Sequence, residues 1–160
     1  MTRQADRPTE IVVAGSAGHQ AVGRFSVATR GLGLYDVTGE VAELLKAGEA
    51  GDGLATLFVR HTSASLTIQE NASPEVLDDL VDALDRLAPR DGGWRHDDEG
   101  PDDMPAHVKT MLTGASVAVP VIGGGLALGT WQAIYLVEHR DRPHSRELVL
   151  HFMGSASARG

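Results

Sequence analysis

The sequence predicts an α+β fold: a single compact domain in which antiparallel β-sheets are backed by helices. Three observations predict it. The short apolar runs that read as strands mostly follow one another, rather than each being followed by a helix. Two helical stretches, at 73–89 and 103–114, come in succession mid-chain, which is not the alternation that a parallel βαβ sheet requires. Finally, 160 residues with 42% apolar content suit one domain with a substantial core.

The elements follow in order. Residues 1–20 read as a loosely structured extension in which Ile11–Ala14 could form an edge strand, and 155–160 as a polar tail. Phe25–Thr29 alternates and reads as a strand. Tyr35-Asp36-Val37-Thr38 leads into a short helix with Thr38 as N-cap, Val41, Leu44 and Leu45 at helical spacing, and Gly48 as the stop. Gly51-Asp52-Gly53 is a turn. Leu54–Arg60 and Ser65–Glu70 read as neighbouring strands. Ser73-Pro74 starts a helix with a cap followed by proline at the first helical position. Val76, Leu77, Leu80, Val81, Leu84 and Leu87 form its apolar stripe, and Pro89 ends it. Asp103 caps a second helix with Pro105 in the first turn, Met104, Val108, Met111 and Leu112 facing inward, and Gly114 at its end. The remainder reads as β: Ser116–Val121, a Gly123-Gly124-Gly125 hairpin turn, Leu126–His139 and Arg146–Met153.

Composition excludes several functions. With no cysteine, disulfides, cysteine nucleophiles, iron–sulfur clusters and zinc ribbons are out. No run of about 18 apolar residues is present to span a membrane, and the N-terminus lacks an apolar signal segment, so a cytoplasmic location is expected. The net charge of −8, unopposed by any basic run, argues against nucleic acid and anionic lipid as partners. Aromatics make up only 4%, so the core must be aliphatic and Trp94 and Trp131 stand out, as core anchors or as ring-stacking surfaces.

The chemistry concentrates in Trp94–Lys109, WRHDDEGPDDMPAHVK, which gathers His96, His107, Asp97, Asp98, Glu99, Asp102 and Asp103. Imidazoles suit a transition metal, and carboxylates suit a harder ion or proton transfer. His107 lies one turn into the predicted helix, whose N-terminus favours neutral imidazole, the form that binds metal. Lys109 is about 200° further round, so it reads as a surface lysine or as reaching a neighbouring site. His61 ends the apolar strand and is followed by Thr62, Ser63 and Ser65. It is either a satisfied core histidine or a pocket residue. His61, His96 and His107 together would make a three-nitrogen metal site with an open position, although their spacing matches no compact zinc signature. Asp102 and Asp103 read as a helix cap beside a solvated carboxylate, or as a magnesium site for a phosphate ligand. The glycine run is no phosphate loop, because no lysine and no helix follow it. Thr130, Gln132, Glu138 and Arg140 share strand parity, and Arg140 is the best anion ligand of the C-terminal half, or else an exposed partner of Glu138.

The strings HTSASLTIQEN (61–71), RHDDEGPDDMPAHVK (95–109) and SVAVPVIGGGLALGTWQAIYLVEHR (116–140) resemble the secondary thiamine-phosphate synthase, or YjbQ-like, family. The resemblance covers about Phe25 to Gly154 and makes 21–154 the family's domain. It implies a compact α+β fold, usually a homotrimer. It also implies a small polar site containing His61, His107 and the acidic segment, with Thr130, Trp131, Gln132, Glu138 and Arg140 in matching motifs. The activity implied is the joining of a pyrimidine methyl diphosphate to a thiazole phosphate with release of diphosphate, as a main or a side reaction. On this reading His61, His96 and His107 bind a divalent metal (zinc or magnesium), and Glu99, Asp102, Asp103 and Gln132 are catalytic. Ser63, Thr130, Trp131 and Arg140 bind a small phosphorylated substrate. A metal-dependent hydrolase and a non-catalytic small-molecule binding protein are the alternatives.

Overall fold

The computed structural model describes residues 15–158 and shows an α+β fold built from antiparallel sheets and three helices. Alternation makes β1 (His19–Ala28) and β8 (Ser145–Ala156), each with one buried and one more exposed face. They pair with β3 (Ala50–Val59), β5 (Ser116–Ile122) and the short β6 (Gly125–Leu126) in one five-stranded sheet ordered β1-β8-β3-β5-β6. A second sheet, ordered β2-β7-β4, holds β2 (Gly33–Asp36), β7 (Gln132–Glu138) and β4 (Ala64–Glu70). Every pairing is antiparallel.

The inner faces of the two sheets and helix α1 (Thr38–Ala47) enclose the core: Val41 and Leu45 of α1 meet Leu57, Leu66, Ile134, Leu136, Leu148, Leu150 and Phe152. It is aliphatic apart from Phe152 and the flanking Phe25 and Tyr35. β7, the middle strand of its sheet, is buried from Ala133 to Glu138. The β5–β6 hairpin turns on Gly123 and Gly124 at φ of 58° and 80°, the positive values that a two-residue turn demands and glycine supplies without strain. Asp52 Oδ1 accepts a hydrogen bond from the Gly123 amide at 2.6 Å and ties this turn to the start of β3.

Several sequence expectations shift. Residues 33–36, read as the approach to a helix, form β2. The residue before α1 is Val37 rather than Thr38, whose hydroxyl instead accepts a hydrogen bond from the Ile134 amide at 2.9 Å. The single strand expected from Leu126 to His139 is broken by a loop between β6 and β7. The helix expected after Ser73-Pro74 is present as α2 (Pro74–Leu87), but none of its stripe is fully buried. The next helix, α3 (Asp103–Thr113), has Asp102 at its N-cap position without a side-chain capping bond, so that Asp103, expected as the cap, is its first residue, and it buries Asp103, Pro105, Ala106 and Lys109. Met111 is 79% exposed and Leu112 also faces outward, contrary to the expected inward stripe. The helix is rotated because ion pairs anchor its other face: Lys109, read as a surface lysine or as reaching a neighbouring site, is buried and bonds to Asp85 of α2, while Asp103 bonds to Arg140. The Ile11–Ala14 expectation lies outside the described residues; β1 begins at His19, and β8 runs to Ala156.

Candidate metal centre

Asp103 is 2% exposed, and its two carboxylate oxygens do different work. Oδ1 accepts a hydrogen bond from the Arg140 guanidinium. Oδ2 lies 2.8 Å from His96 Nε2 and 3.3 Å from His107 Nε2. One ligand atom from each of the three residues lies within 4.8 Å of the others. Helical spacing brings Asp103 and His107 together, since residues four apart share a face. The loop before α3 folds back to bring in His96.

The tautomer of His107 sharpens this arrangement. Its Nδ1 is 3.0 Å from the Thr62 carbonyl oxygen, which can only accept, so Nδ1–H donates. In the neutral ring Nε2 then carries a lone pair aimed at a carboxylate oxygen. Two acceptors at 3.3 Å need a proton or a cation between them. Ligand atoms about 2.1 Å from a tetrahedral zinc sit roughly 3.4 Å from one another; the His107–Asp103 separation of 3.3 Å is close to this, and the 2.8 Å between His96 and Asp103 is that of a hydrogen bond. A backbone carbonyl on the far nitrogen of a ligating histidine is also the usual support for such a site. The donor set therefore fits a divalent metal with two imidazoles and one carboxylate.

Around this cluster runs a charged lattice. Arg140 is 14% exposed; besides Asp103 it donates from Nε to Asp102 Oδ2 at 3.0 Å and from Nη2 to the Glu99 carbonyl at 2.8 Å. Burial opposes the charge on Asp102, but the Asp141 amide and Arg140 outweigh it and hold the carboxyl below its usual range. Burial likewise opposes charge on Arg140, and its carboxylate partners raise it further above its ordinary value. Arg90 in turn grips Asp141 with two bonds of 2.5 and 2.6 Å. The Arg140 guanidinium, expected to hold a phosphate, is directed into the acidic loop instead.

His61 stands apart from the cluster. Its Nε2 accepts a hydrogen bond from the Glu147 amide at 2.9 Å. Burial and Arg146 hold its pKa below the ordinary histidine value. It shares with His107 an open cleft of about 580 Å³ that is also lined by Phe58, Thr62, Thr110 and Met111. Ser63 is buried, with its carbonyl 3.4 Å from Arg146 Nη2. Thr130, Trp131 and Gln132 sit at the opposite end of β7 from Glu138 and Arg140, about 20 Å away at strand rise. There Trp131 is 64% exposed and Gln132 Oε1 accepts a hydrogen bond from the Gly129 amide at 2.8 Å. The side chain of Glu99 lies at the exposed rim.

Two buried polar groups lie behind the site: Glu138, read from the sequence as an exposed partner of Arg140, and His139, which sequence reasoning passed over. Glu138 accepts hydrogen bonds from Arg146 (2.7 and 2.5 Å) and from the Thr29 hydroxyl (2.8 Å). Burial opposes its charge, but these partners and the Arg140 amide depress its pKa. His139 Nε2 lies 2.8 Å from Ser65 Oγ, and burial, with Lys109 nearby, pushes its pKa down to about 4. Their signal was the EHR string at the end of an otherwise apolar strand.

The chain matches the family described as UPF0047 protein YjbQ-like over residues 23–155. It belongs to the UPF0047 YjbQ-like family. It is 48% identical over 129 residues to a UPF0047 protein of Synechocystis, covering 80% of this chain and 88% of that one. To the UPF0047 protein YjbQ of Escherichia coli O157:H7 it is 38% identical over 130 residues, covering 81% and 94%. Among solved structures, a hypothetical protein of Aeropyrum pernix superposes with a TM-score of 0.76 at 37% identity, over 84% of this chain and 99% of that one. A YbjQ-like protein of unknown function from Sulfolobus solfataricus shares the fold with a TM-score of 0.77 at 24% identity, over 86% and 100%. The α+β architecture and the YjbQ-like membership expected from the motifs are thus shown. Among the described residues, no helix is long and apolar enough to cross a membrane.

Proposed function

We propose that the chain is a metal-dependent enzyme acting on a small phosphorylated molecule, with the thiamine-phosphate synthase-like reaction as its first candidate. The observation that carries the proposal is the Asp103 oxygen faced by two imidazole nitrogens. His96, Asp103 and His107 would hold the ion, and two nitrogen donors favour zinc over magnesium. When bound, a divalent cation neutralises charge on a departing diphosphate. Arg140 and Asp102 keep the Asp103 carboxylate in place. The Thr62 carbonyl keeps His107 in the ligating tautomer. The family resemblance supplies the pyrimidine and thiazole substrates.

A homotrimer belongs to the same proposal. It is supported by the resemblance and by the apolar outer face of the five-stranded sheet, where Val22, Leu54, Phe58, Ile122 and Met153 are exposed.

The test is thiamine-phosphate formation from the two precursors by purified protein, with zinc, with magnesium and after chelation. Metal-dependent product that vanishes in His107→Ala is expected. A zinc-loaded protein that makes no product would end the synthase reading. A folded His107→Ala protein with full zinc content would end the metal reading.

A further inference from the structure

We infer that the cleft beside the metal centre binds a small organic oxyanion with an apolar body, and that His61 is the hydrogen-bond donor that recognises the oxyanion. The inference builds on the metal-centre reading, which supplies the positive charge at the cleft's inner end.

His61 accepts the Glu147 amide at Nε2, and a nitrogen that accepts cannot carry the proton. The neutral ring must therefore hold its hydrogen on Nδ1. Among the described residues Nδ1 has no protein partner, so a donor of fixed tautomer is left for a ligand. Thr110 lies three residues beyond His107 on α3 and lines the same cleft. Its Oγ1 is buried and unpartnered, which costs free energy unless water or a ligand bonds to it. Two residues in the lining of one cleft thus carry an unpaired polar group. The rest of its wall is apolar, with Phe58, Met111 and Ala115 offering surface that an organic body would cover. A cation on His107 sets the sign of the charge that the cleft attracts, since Arg60 in its wall is paired with Glu147. A phosphate and a carboxylate share this chemistry, and the probes below separate them.

The experiment is calorimetric titration of the zinc-loaded protein with phenyl phosphate, benzoate and inorganic phosphate. One or both aryl anions should bind about tenfold or more tightly than inorganic phosphate, because only they cover the apolar wall. The tighter of the two names the anion. His61→Asn should lose about tenfold or more in affinity at unchanged zinc content. Thr110→Val should also lose affinity while its thermal midpoint does not fall, since its hydroxyl has no protein partner to lose. Equal affinity in all three proteins, or no binding of either aryl anion to zinc-loaded wild type, would overturn the inference. If wild type takes up no zinc but still binds an aryl anion in a His61-dependent way, the metal reading falls and this one stands. If His61→Asn fails to fold, Thr110→Val and the imidazole ¹⁵N signals of wild type decide. The inference requires a protonated His61 Nδ1 whose resonance moves on titration, and a proton on Nε2 would sink it.

Discussion

At the residue scale, Asp103 couples two systems: one oxygen faces His96 and His107, the candidate ligands, and the other bonds to Arg140. Arg140 is therefore a positioning residue, and replacing it should change the metal site without touching a ligand. Arg140→Lys keeps the charge but cannot reach Asp103, Asp102 and the Glu99 carbonyl together. Its zinc affinity should fall by about ten- to a hundredfold, measured by competition with a chelator. An unchanged affinity would show that Asp103 needs no such support. His139 makes a different prediction. Its pKa is about 4 in the fold and 6.5 when unfolded, so the unfolded chain binds the proton first as pH falls. Stability should be full above pH 6.5, decline by about 3 kcal/mol down to pH 4, and flatten below that as far as this group is concerned. Glu138 adds a second loss below about pH 4.5, because its depressed pKa makes its contribution vanish as it protonates. Chemical denaturation of wild type and His139→Gln across this range checks it. A decline between 6.5 and 4 that persists in the variant would assign it to other groups.

At the element scale, similar apolar stripes do unequal work. Leu45 of α1 is wholly enclosed, so Leu45→Ala should cost about 2–5 kcal/mol. Leu87 of α2 is exposed, so Leu87→Ala should cost less than about 1 kcal/mol. Urea unfolding of both variants tests the contrast, and equal costs would show that α2 is covered in solution. Periodicity reveals that a helix has an apolar face but not what covers it, which is why the α2 stripe was legible and its exposure was not. For α3 the apolar residues pointed to the wrong face. Asp103 and Lys109 are drawn inward by partners 37 and 24 residues away in the chain, Arg140 and Asp85, and no local pattern records such pairings. β2 was missed for the same kind of reason: four residues hold strand geometry only because β7 runs beside them. The glycine hairpin was readable because its backbone requirement is local.

At the scale of the whole molecule, the acidic segment was legible as a site because its composition is local. The separation of His61 from His96 and His107 was not, since it depends on how β3 meets α3. The outer face of the five-stranded sheet poses the remaining question. Its centre carries Leu54, Thr56 and Phe58 of β3, Ala118, Pro120 and Ile122 of β5, Val149, His151 and Met153 of β8, and Val22 of β1. Its charged side chains, Arg24, Arg60 and Glu147, gather at one end, where Arg60 and Glu147 pair. A hollow of about 750 Å³ between Leu54, Pro120, Ile122 and Met153 marks the other end. On a chain of net charge −8, an uncharged face lets two copies approach with little repulsion, and depletion of charge is what the centre of an interface shows. If copies assemble through this face, a carboxylate placed at its centre must be desolvated without a partner. Leu54→Glu with Met153→Glu should therefore give a monomer by light scattering, with the circular dichroism of the folded protein retained. Both positions face outward, so the core is untouched, and the cost to the monomer is repulsion between two carboxylates that stand opposite each other on β3 and β8. Because Phe58 belongs both to this face and to the cleft beside His107, the same variant should also bind an aryl anion more weakly while keeping its zinc. An assembled double variant would place the contact between copies on another surface, and a monomeric wild type would remove the trimer altogether.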